Sequence, residues 1–131
     1  MNENSNIGFI GLGNMGKPIF DHLNKKFFNI FCFDQDTSKL KKNNFSSSLI
    51  EIFEKCRVII FCIESNEQVI DIIKENKIKK NTIIVDLTSS LPDLTRKISS
   101  YLKKFESHYI DAGMSGGASG ASNGTLTLML G

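Results

Sequence analysis

A glycine-rich segment near the amino terminus carries the first pattern that could do chemistry. Residues 11–16 fit G-x-G-x-x-G and directly follow a short apolar run, Ile7–Ile10. Between a strand and a helix, Gly11 permits a tight turn, Gly13 lets a ligand approach the backbone, and Gly16 lets the helix pack closely. Unpaired amides at such a helix start attract an anionic group such as a diphosphate. The segment predicts a diphosphate-binding turn, with a glycine turn that holds no ligand as the alternative, over Gly11, Leu12, Gly13, Asn14, Met15 and Gly16.

An acidic residue, Asp34, ends the second apolar run, roughly 20 residues beyond the glycine pattern. A carboxylate there accepts hydrogen bonds from adenosine ribose hydroxyls and repels a 2′-phosphate. No arginine follows, because the next residues are Gln35, Asp36 and Thr37. The pattern therefore favours NAD over NADP as the cofactor. Two alternatives stay open: Asp34 as a solvated turn residue, and Lys39 as the partner of a phosphate.

Alternating apolar patterns indicate the elements that position these residues. The predicted strands are Ile7–Ile10, Asn29–Asp34, Arg57–Ile63, Thr82–Asp86, His108–Asp111 and Thr125–Leu130. The predicted helices are Met15–Lys26, a short one near Thr37, Leu49–Lys55, Asn66–Glu75 and one from Pro92 to about Lys104, and a Gly/Ser-rich loop covers Ala112–Gly124. Apolar strands separated by helices are typical of a parallel sheet covered on both faces. We predict one α/β domain over residues 1–131, of the Rossmann type, with a doubly wound, mainly parallel sheet.

The composition narrows the function classes. Sixteen basic and 14 acidic residues give a net charge of +2, too balanced to indicate a nucleic-acid or membrane partner. The three cysteines do not form a disulfide framework, and the two histidines are too far apart to suggest a metal site. The polar amino terminus lacks an apolar signal core, and no run is long enough to span a bilayer. We therefore expect a cytoplasmic location and no metal.

Three motifs in order resemble the β-hydroxyacid dehydrogenase family, which includes 3-hydroxyisobutyrate dehydrogenase. Residues 8–16, GFIGLGNMG, are similar to the signature that opens the family. Residues 86–92, DLTSSLP, resemble its D-x-S-T-x-x-P stretch. Residues 111–117, DAGMSGG, resemble its D-A-P-V-S-G-G substrate loop. The likeness covers nearly the whole chain and implies the amino-terminal NAD-binding domain of such an enzyme.

The resemblance also implies roles for individual residues. Ser89 takes the position of a threonine beside the nicotinamide ribose, and Ile63, Glu64 and Gln68 occupy the segment after the third strand that lines the cofactor. Ser115, Gly116 and Gly117 match residues that grip the substrate carboxylate, and two exposed glycine amides with a hydroxyl suit an anionic oxygen. Without the family match, a flexible loop would be an equal interpretation of that segment. Glu64 and Gly113 stand where the family usually has proline, and we expect Gly113 to loosen the substrate loop.

The family implies an activity that needs more than these residues. Its catalytic lysine lies beyond the position of Gly131, on a helical second domain that often dimerises, so we expect this chain alone to bind NAD and to be inactive. We expect the full-length protein to be a homo-oligomer that interconverts a small β-hydroxyacid and its semialdehyde. The alternatives are a truncated nucleotide-binding module without catalysis, or an NADP-dependent reductase of the tartronate semialdehyde or imine type.

Overall fold

Strands and helices alternate in the computed structural model, which describes residues 6–27, 29–40 and 47–131. Most of the polar amino terminus, residues 1–5, lies outside the described residues. Over the described ranges the elements are β1 Ile7–Ile10, α1 Gly16–Asn24, β2 Ile30–Phe33, a 3-10 helix Thr37–Leu40, α2 Leu49–Lys55, β3 Val58–Phe61, α3 Asn66–Glu75, β4 Ile83–Asp86, α4 Pro92–Lys103, β5 His108–Ser115, α5 Gly117–Asn123 and β6 Thr127–Leu130. None of the helices in these ranges combines the length and apolar character needed to cross a bilayer.

The strands form one sheet in the order β2-β1-β3-β4-β5-β6. The first five are parallel, and the last residues of β1 to β4 are in register, so that Ile10 pairs with both Phe33 and Phe61. The pairing of Phe61 with Asp86, and of Asp86 with Asp111, continues this line across the sheet. The strand order reverses at β1, and open α/β sheets bind ligands beyond the carboxyl ends of their strands at such a point. The mainly parallel Rossmann-type prediction is therefore confirmed.

Alternation along the strands divides the core between the two faces of the sheet. Phe9 faces α1, where its ring meets Phe20 edge to face at a centroid distance of 5.9 Å. The next residue, Ile10, packs on the opposite face with α2 residues such as Ile52 and Phe53. Residues of α3 and α4 extend this second cluster. Helices on both faces explain why the central strands read as continuous apolar runs.

Two helices begin and end where the sequence predicts, because serine caps fix their starts. The hydroxyl of Ser48 accepts a hydrogen bond from the Glu51 amide at 3.1 Å, and α2 follows. The hydroxyl of Ser65 likewise accepts one from the Gln68 amide at 3.3 Å, and α3 follows. Such caps satisfy amides that have no partner inside the helix.

The predicted loop over residues 112–124 is wrong in most of its length. β5 continues to Ser115 instead of ending at Asp111, and α5 follows directly. β6 starts at Thr127 and runs antiparallel to β5, which extends β5 by backbone pairing. Gly113 pairs with Met129 in this ladder, so it belongs to the sheet and does not loosen a loop.

Helix α5 is held by its contact with α1. The His22 ring nitrogen Nε2 lies 2.9 Å from the Ser122 carbonyl oxygen. The same ring lies against Gly124, where an added Cβ would approach it to 3.3 Å. This packing, and not the sequence Gly-Ala-Ser-Gly-Ala-Ser, which lacks large apolar side chains, explains why residues 117–123 are helical.

Candidate functional site

A cleft of about 650 Å³ opens beyond the carboxyl ends of the central strands. This volume lies within the range of roughly 300–1,000 Å³ found for small-molecule and cofactor sites. Ten of the eleven predicted cofactor residues line it: Gly11, Gly13, Asn14, Met15, Gly16, Asp34, Ile63, Glu64, Gln68 and Ser89. The fold therefore brings together residues from four separate parts of the sequence.

The three glycines of the turn meet different surroundings. Gly11 has φ +107°, and a Cβ there would lie 2.1 Å from the Cys62 carbonyl oxygen. A Cβ on Gly16 would lie 2.0 Å from the Gly11 carbonyl oxygen, so the first turn of α1 sits directly on the glycine turn. A Cβ on Gly13 would meet nothing within 4 Å. Gly11 and Gly16 are required by the fold, whereas the space beside Gly13 is open for a ligand.

The backbone amides of the turn divide into used and available donors. The Leu12 amide donates to the Asp34 carboxylate at 2.7 Å, and the Leu12 side chain is buried outside the cleft. Leu12 therefore does not offer the free amide that the glycine pattern predicts for it. Within the described part of the chain, the amides of Gly13 and Asn14 have no hydrogen-bond acceptor. These two amides, at the start of α1, suit the oxygens of a diphosphate.

Asp34 is fixed at the adenosine-side end predicted for the cleft. One carboxylate oxygen accepts a hydrogen bond from the Leu12 amide, and the other accepts one from the Asp36 amide at 2.8 Å. A carboxylate offers about four acceptor positions, so both oxygens keep capacity for ribose hydroxyls. The neighbouring Asp36 is exposed, and hydrogen bonds from the hydroxyl and amide of Ser38 lower the pKa of its carboxyl. Two acidic groups, Asp34 and Asp36, therefore line this end of the cleft.

The wall of the cleft formed by α3 contains residues that the sequence reasoning missed. Gln68 lies in the first turn of α3, and Asp71 and Ile72 line the cleft beside it. These residues are spaced i, i+3 and i+4, which places them on one helix face. Applying that spacing to Gln68 would have found both.

The opposite end of the cleft is formed by the segment after β4. Leu87, Thr88 and Ser89 line it, and the Thr88 hydroxyl accepts a hydrogen bond from the Ile63 amide at 3.2 Å. Beneath them the Asp86 carboxylate is fully buried, and burial raises the pKa of this group despite its hydrogen bonds. The predicted nicotinamide-side residues therefore rest on a buried acidic group that the sequence reasoning did not single out.

Cys62 also lines the cleft, but its chemistry is suppressed. Burial, and to a smaller extent the charge of Asp86, raise the pKa of the Cys62 thiol from 9.0 to about 11. Since the thiolate is the reactive form, this cysteine is a poor nucleophile near neutral pH. Among the described residues, no group of three or more His, Cys, Asp or Glu side chains could hold a metal ion.

The predicted substrate residues lie at the junction of β5 and α5. Ser115 ends β5, and Gly116 and Gly117 have φ +125° and +61°, which favour glycine at both positions. All three are exposed and stand just outside the cleft, whose nearest lining residue is Met114.

Lys17, in the first turn of α1, forms an ion pair with Asp21 at 2.5 Å.

Comparison with known proteins agrees with this geometry. Residues 6–131 match the family model for the NAD-binding domain of 6-phosphogluconate dehydrogenase. The mitochondrial 3-hydroxyisobutyrate dehydrogenase of Mus musculus is 30% identical and aligns with 95% of this chain and 40% of its own length. The 2-(hydroxymethyl)glutarate dehydrogenase of Eubacterium barkeri is 32% identical over 100% of this chain and 47% of its own length. A solved 3-hydroxyisobutyrate dehydrogenase of Mycobacterium tuberculosis superposes with a TM-score of 0.90 at 24% identity, covering 97% of this chain and 46% of that one.

These matches cover nearly all of this chain but less than half of each relative. The matched part is the part that carries the glycine turn, Asp34 and the cleft. Since the family match extends over residues 6–131, this chain belongs to the family of NAD-binding domains of 6-phosphogluconate dehydrogenase, and its relatives include 3-hydroxyisobutyrate dehydrogenases.

Proposed function

We propose that the cleft binds NAD, with the diphosphate at the glycine turn and the adenosine ribose at Asp34. The supporting observation is the open space beside Gly13, bordered by the amides of Gly13 and Asn14. Asp34 stands next to that space with its carboxylate already oriented by the Leu12 amide. A dinucleotide laid from Asp34 across the turn extends its second nucleoside toward Ser89. The residues present therefore fit the group.

The choice of NAD over NADP rests on charge. Two unit charges 4 Å apart repel by about 1 kcal/mol in water and about 4 kcal/mol near a protein surface. The dianionic 2′-phosphate would meet Asp34, and Asp36 lines the same end of the cleft. We therefore expect NAD to bind roughly tenfold or more tightly than NADP.

Calorimetric titration of both dinucleotides into the wild-type chain and Asp34→Asn tests this preference. The asparagine keeps an oxygen for an amide but removes the charge, so the ratio of the two Kd values should narrow. Lys39→Ala is the matched control, because Lys39 lines the same end of the cleft. Tighter binding of NADP by the wild type, lost in Lys39→Ala, would overturn the assignment and favour an NADP-dependent reductase.

For the full-length protein, we propose reversible oxidation of a small β-hydroxyacid to its semialdehyde. Two relatives are named for 3-hydroxyisobutyrate and 2-(hydroxymethyl)glutarate, both of which carry a hydroxyl β to a carboxylate. When bound, NAD takes up the hydride from the carbinol carbon. Ser115, Gly116 and Gly117 would hold the substrate carboxylate through a hydroxyl and backbone amides. The hydroxyl proton would pass to a lysine outside this sequence, as in the family.

Turnover assays separate this enzyme from a nucleotide-binding module. The full-length protein, mixed with NAD and either named hydroxyacid, should form NADH, whereas residues 1–131 alone should bind NAD without turnover. Analytical ultracentrifugation of the full-length protein tests the proposed homo-oligomer in the same preparation. NAD binding with no oxidation of any β-hydroxyacid by the full-length protein would support the module.

A further inference from the structure

The buried carboxylate of Asp86 is the centre of a hydrogen-bond network under one end of the cleft. It accepts hydrogen bonds from the Asn66 side-chain amide at 2.8 Å and from the Tyr109 hydroxyl at 2.6 Å. Its other oxygen accepts the Thr88 backbone amide at 2.9 Å. These donors come from α3, β5 and the segment after β4. One side chain therefore joins three elements at the carboxyl edge of the sheet.

The network reaches both ends of the cleft-lining segment. The side-chain oxygen of Asn66 accepts the Leu91 amide at 3.0 Å, which fixes the far end of residues 87–91. The Thr88 hydroxyl accepts a hydrogen bond from the Ile63 amide, which connects the segment after β3 to residues 87–91. Ser89, which is exposed in the cleft, stands between these fixed points.

A carboxylate is a costly way to fill this space if packing is the only need. Burying a charge is unfavourable, and similarly sized apolar residues often stabilise a fold more than buried charges do. No lysine or arginine in the described ranges forms an ion pair with Asp86. All its partners are donors, and two of them act on residues 87–91, since Thr88 belongs to this segment and Asn66 bonds to the Leu91 amide.

We propose that Asp86 is a positioning residue that holds residues 87–91, and with them Ser89, in the geometry that receives the second nucleoside of the dinucleotide. This inference rests on the proposed binding of NAD. It assigns to Asp86 a role in recognising the nicotinamide riboside half, whereas the glycine turn and Asp34 recognise the ADP half. The two halves can be measured separately.

The experiment compares the Kd of NAD with the Kd of ADP, which lacks the nicotinamide riboside, for the wild type and Asp86→Asn. The asparagine places a donor where a carboxylate oxygen accepts one, so at least one link to the segment is lost. We expect ADP binding to stay within about twofold and NAD binding to weaken about tenfold, the effect of one lost hydrogen bond. Tyr109→Phe, which removes one of the three donors, should also raise the ratio of the NAD Kd to the ADP Kd, but by less than Asp86→Asn does.

Ser107→Ala is the matched control. The Ser107 hydroxyl is also buried and bonded, accepting the Thr82 amide at 3.1 Å and donating to the Lys79 carbonyl at 2.9 Å, but at the opposite edge of the sheet. Ser107→Ala should lower the free energy of unfolding without changing the ratio of the NAD Kd to the ADP Kd.

The results that overturn the inference are distinct. Equal weakening of NAD and ADP in Asp86→Asn would reduce Asp86 to a structural role, and wild-type Kd values for both ligands would show that Asp86 does not act on the cleft at all. If Asp86→Asn does not fold, the ratio in Tyr109→Phe decides between the same outcomes. A wild-type chain that binds ADP and NAD equally refutes this inference alone, whereas one that binds neither refutes the proposed function and this inference with it.

Discussion

Replacing Gly13 separates the binding role of the glycine turn from its folding role. An added Cβ at this position meets nothing within 4 Å, and Gly13 does not have a positive φ. Gly13→Ala should therefore leave the free energy of unfolding unchanged or raise it by about 0.4–1 kcal/mol. Gly13→Val should stay within about 0.5 kcal/mol of the wild type.

The same substitutions should damage NAD binding, because their side chains occupy the space that we assign to the diphosphate. A hydrogen bond to a charged group contributes about 1.5–3 kcal/mol. Losing one of the contacts from the Gly13 and Asn14 amides corresponds to roughly a 10- to 100-fold increase in Kd. The larger valine should weaken binding more than the alanine does.

Gly16→Ala is the contrasting variant. Its Cβ would lie 2.0 Å from the Gly11 carbonyl oxygen, which is backbone and cannot rotate away. We expect a loss of about 3 kcal/mol in the free energy of unfolding. Urea unfolding followed by circular dichroism measures stability, and calorimetric titration with NAD measures Kd. A folded Gly13→Val with wild-type affinity would refute the diphosphate assignment, and a Gly16→Ala as stable as the wild type would refute the packing argument.

Three further predictions concern other parts of the fold. Because burial raises the pKa of the Cys62 thiol from 9.0 to about 11, iodoacetamide should modify it about 100-fold more slowly than an ordinary cysteine at pH 8, as mass spectrometry of native and urea-unfolded chain can show. Burial raises the pKa of Asp86 above its unfolded value of 3.8, so the folded state binds the carboxyl proton more tightly than the unfolded state does. The wild type should therefore lose stability relative to Asp86→Asn as the pH rises above 3.8 through the folded pKa. A pH-independent difference in urea midpoints between the two proteins would contradict this. His22→Ala should speed amide hydrogen exchange in residues 117–123, whereas exposed Lys25→Ala should not, and equal protection in both variants would contradict a clamp on α5.

The sequence predicts the elements whose signals are local. The caps Ser48 and Ser65, followed by apolar residues at helical spacing, give the starts of α2 and α3 without tertiary information. Helix α5 has no such spacing, because residues 117–123 are glycine, alanine, serine and asparagine. It depends on the contact of His22 with Ser122, a pair separated by 100 residues. Strand direction has no local signal either, so the antiparallel β6 could not be predicted.

In the site, too, the features with local sequence signals could be predicted and those formed by distant residues could not. The glycine spacing and Asp34 are close in sequence, and their predicted neighbourhood is found in the cleft. The Asp86 network assembles Asn66 and Tyr109, which lie 20 and 23 residues away on different elements. Only the folded sheet shows that these side chains meet one carboxylate.

The bond from the Leu12 amide to Asp34 has a consequence for engineering cofactor preference. Exchanging Asp34 for a basic residue, to admit a phosphorylated ribose, would also release the backbone of the glycine turn. A redesign would therefore need a new acceptor for that amide in addition to the altered charge. The carboxylate that we propose to set the cofactor preference also holds the glycine turn in place, so a substitution at Asp34 would alter both properties.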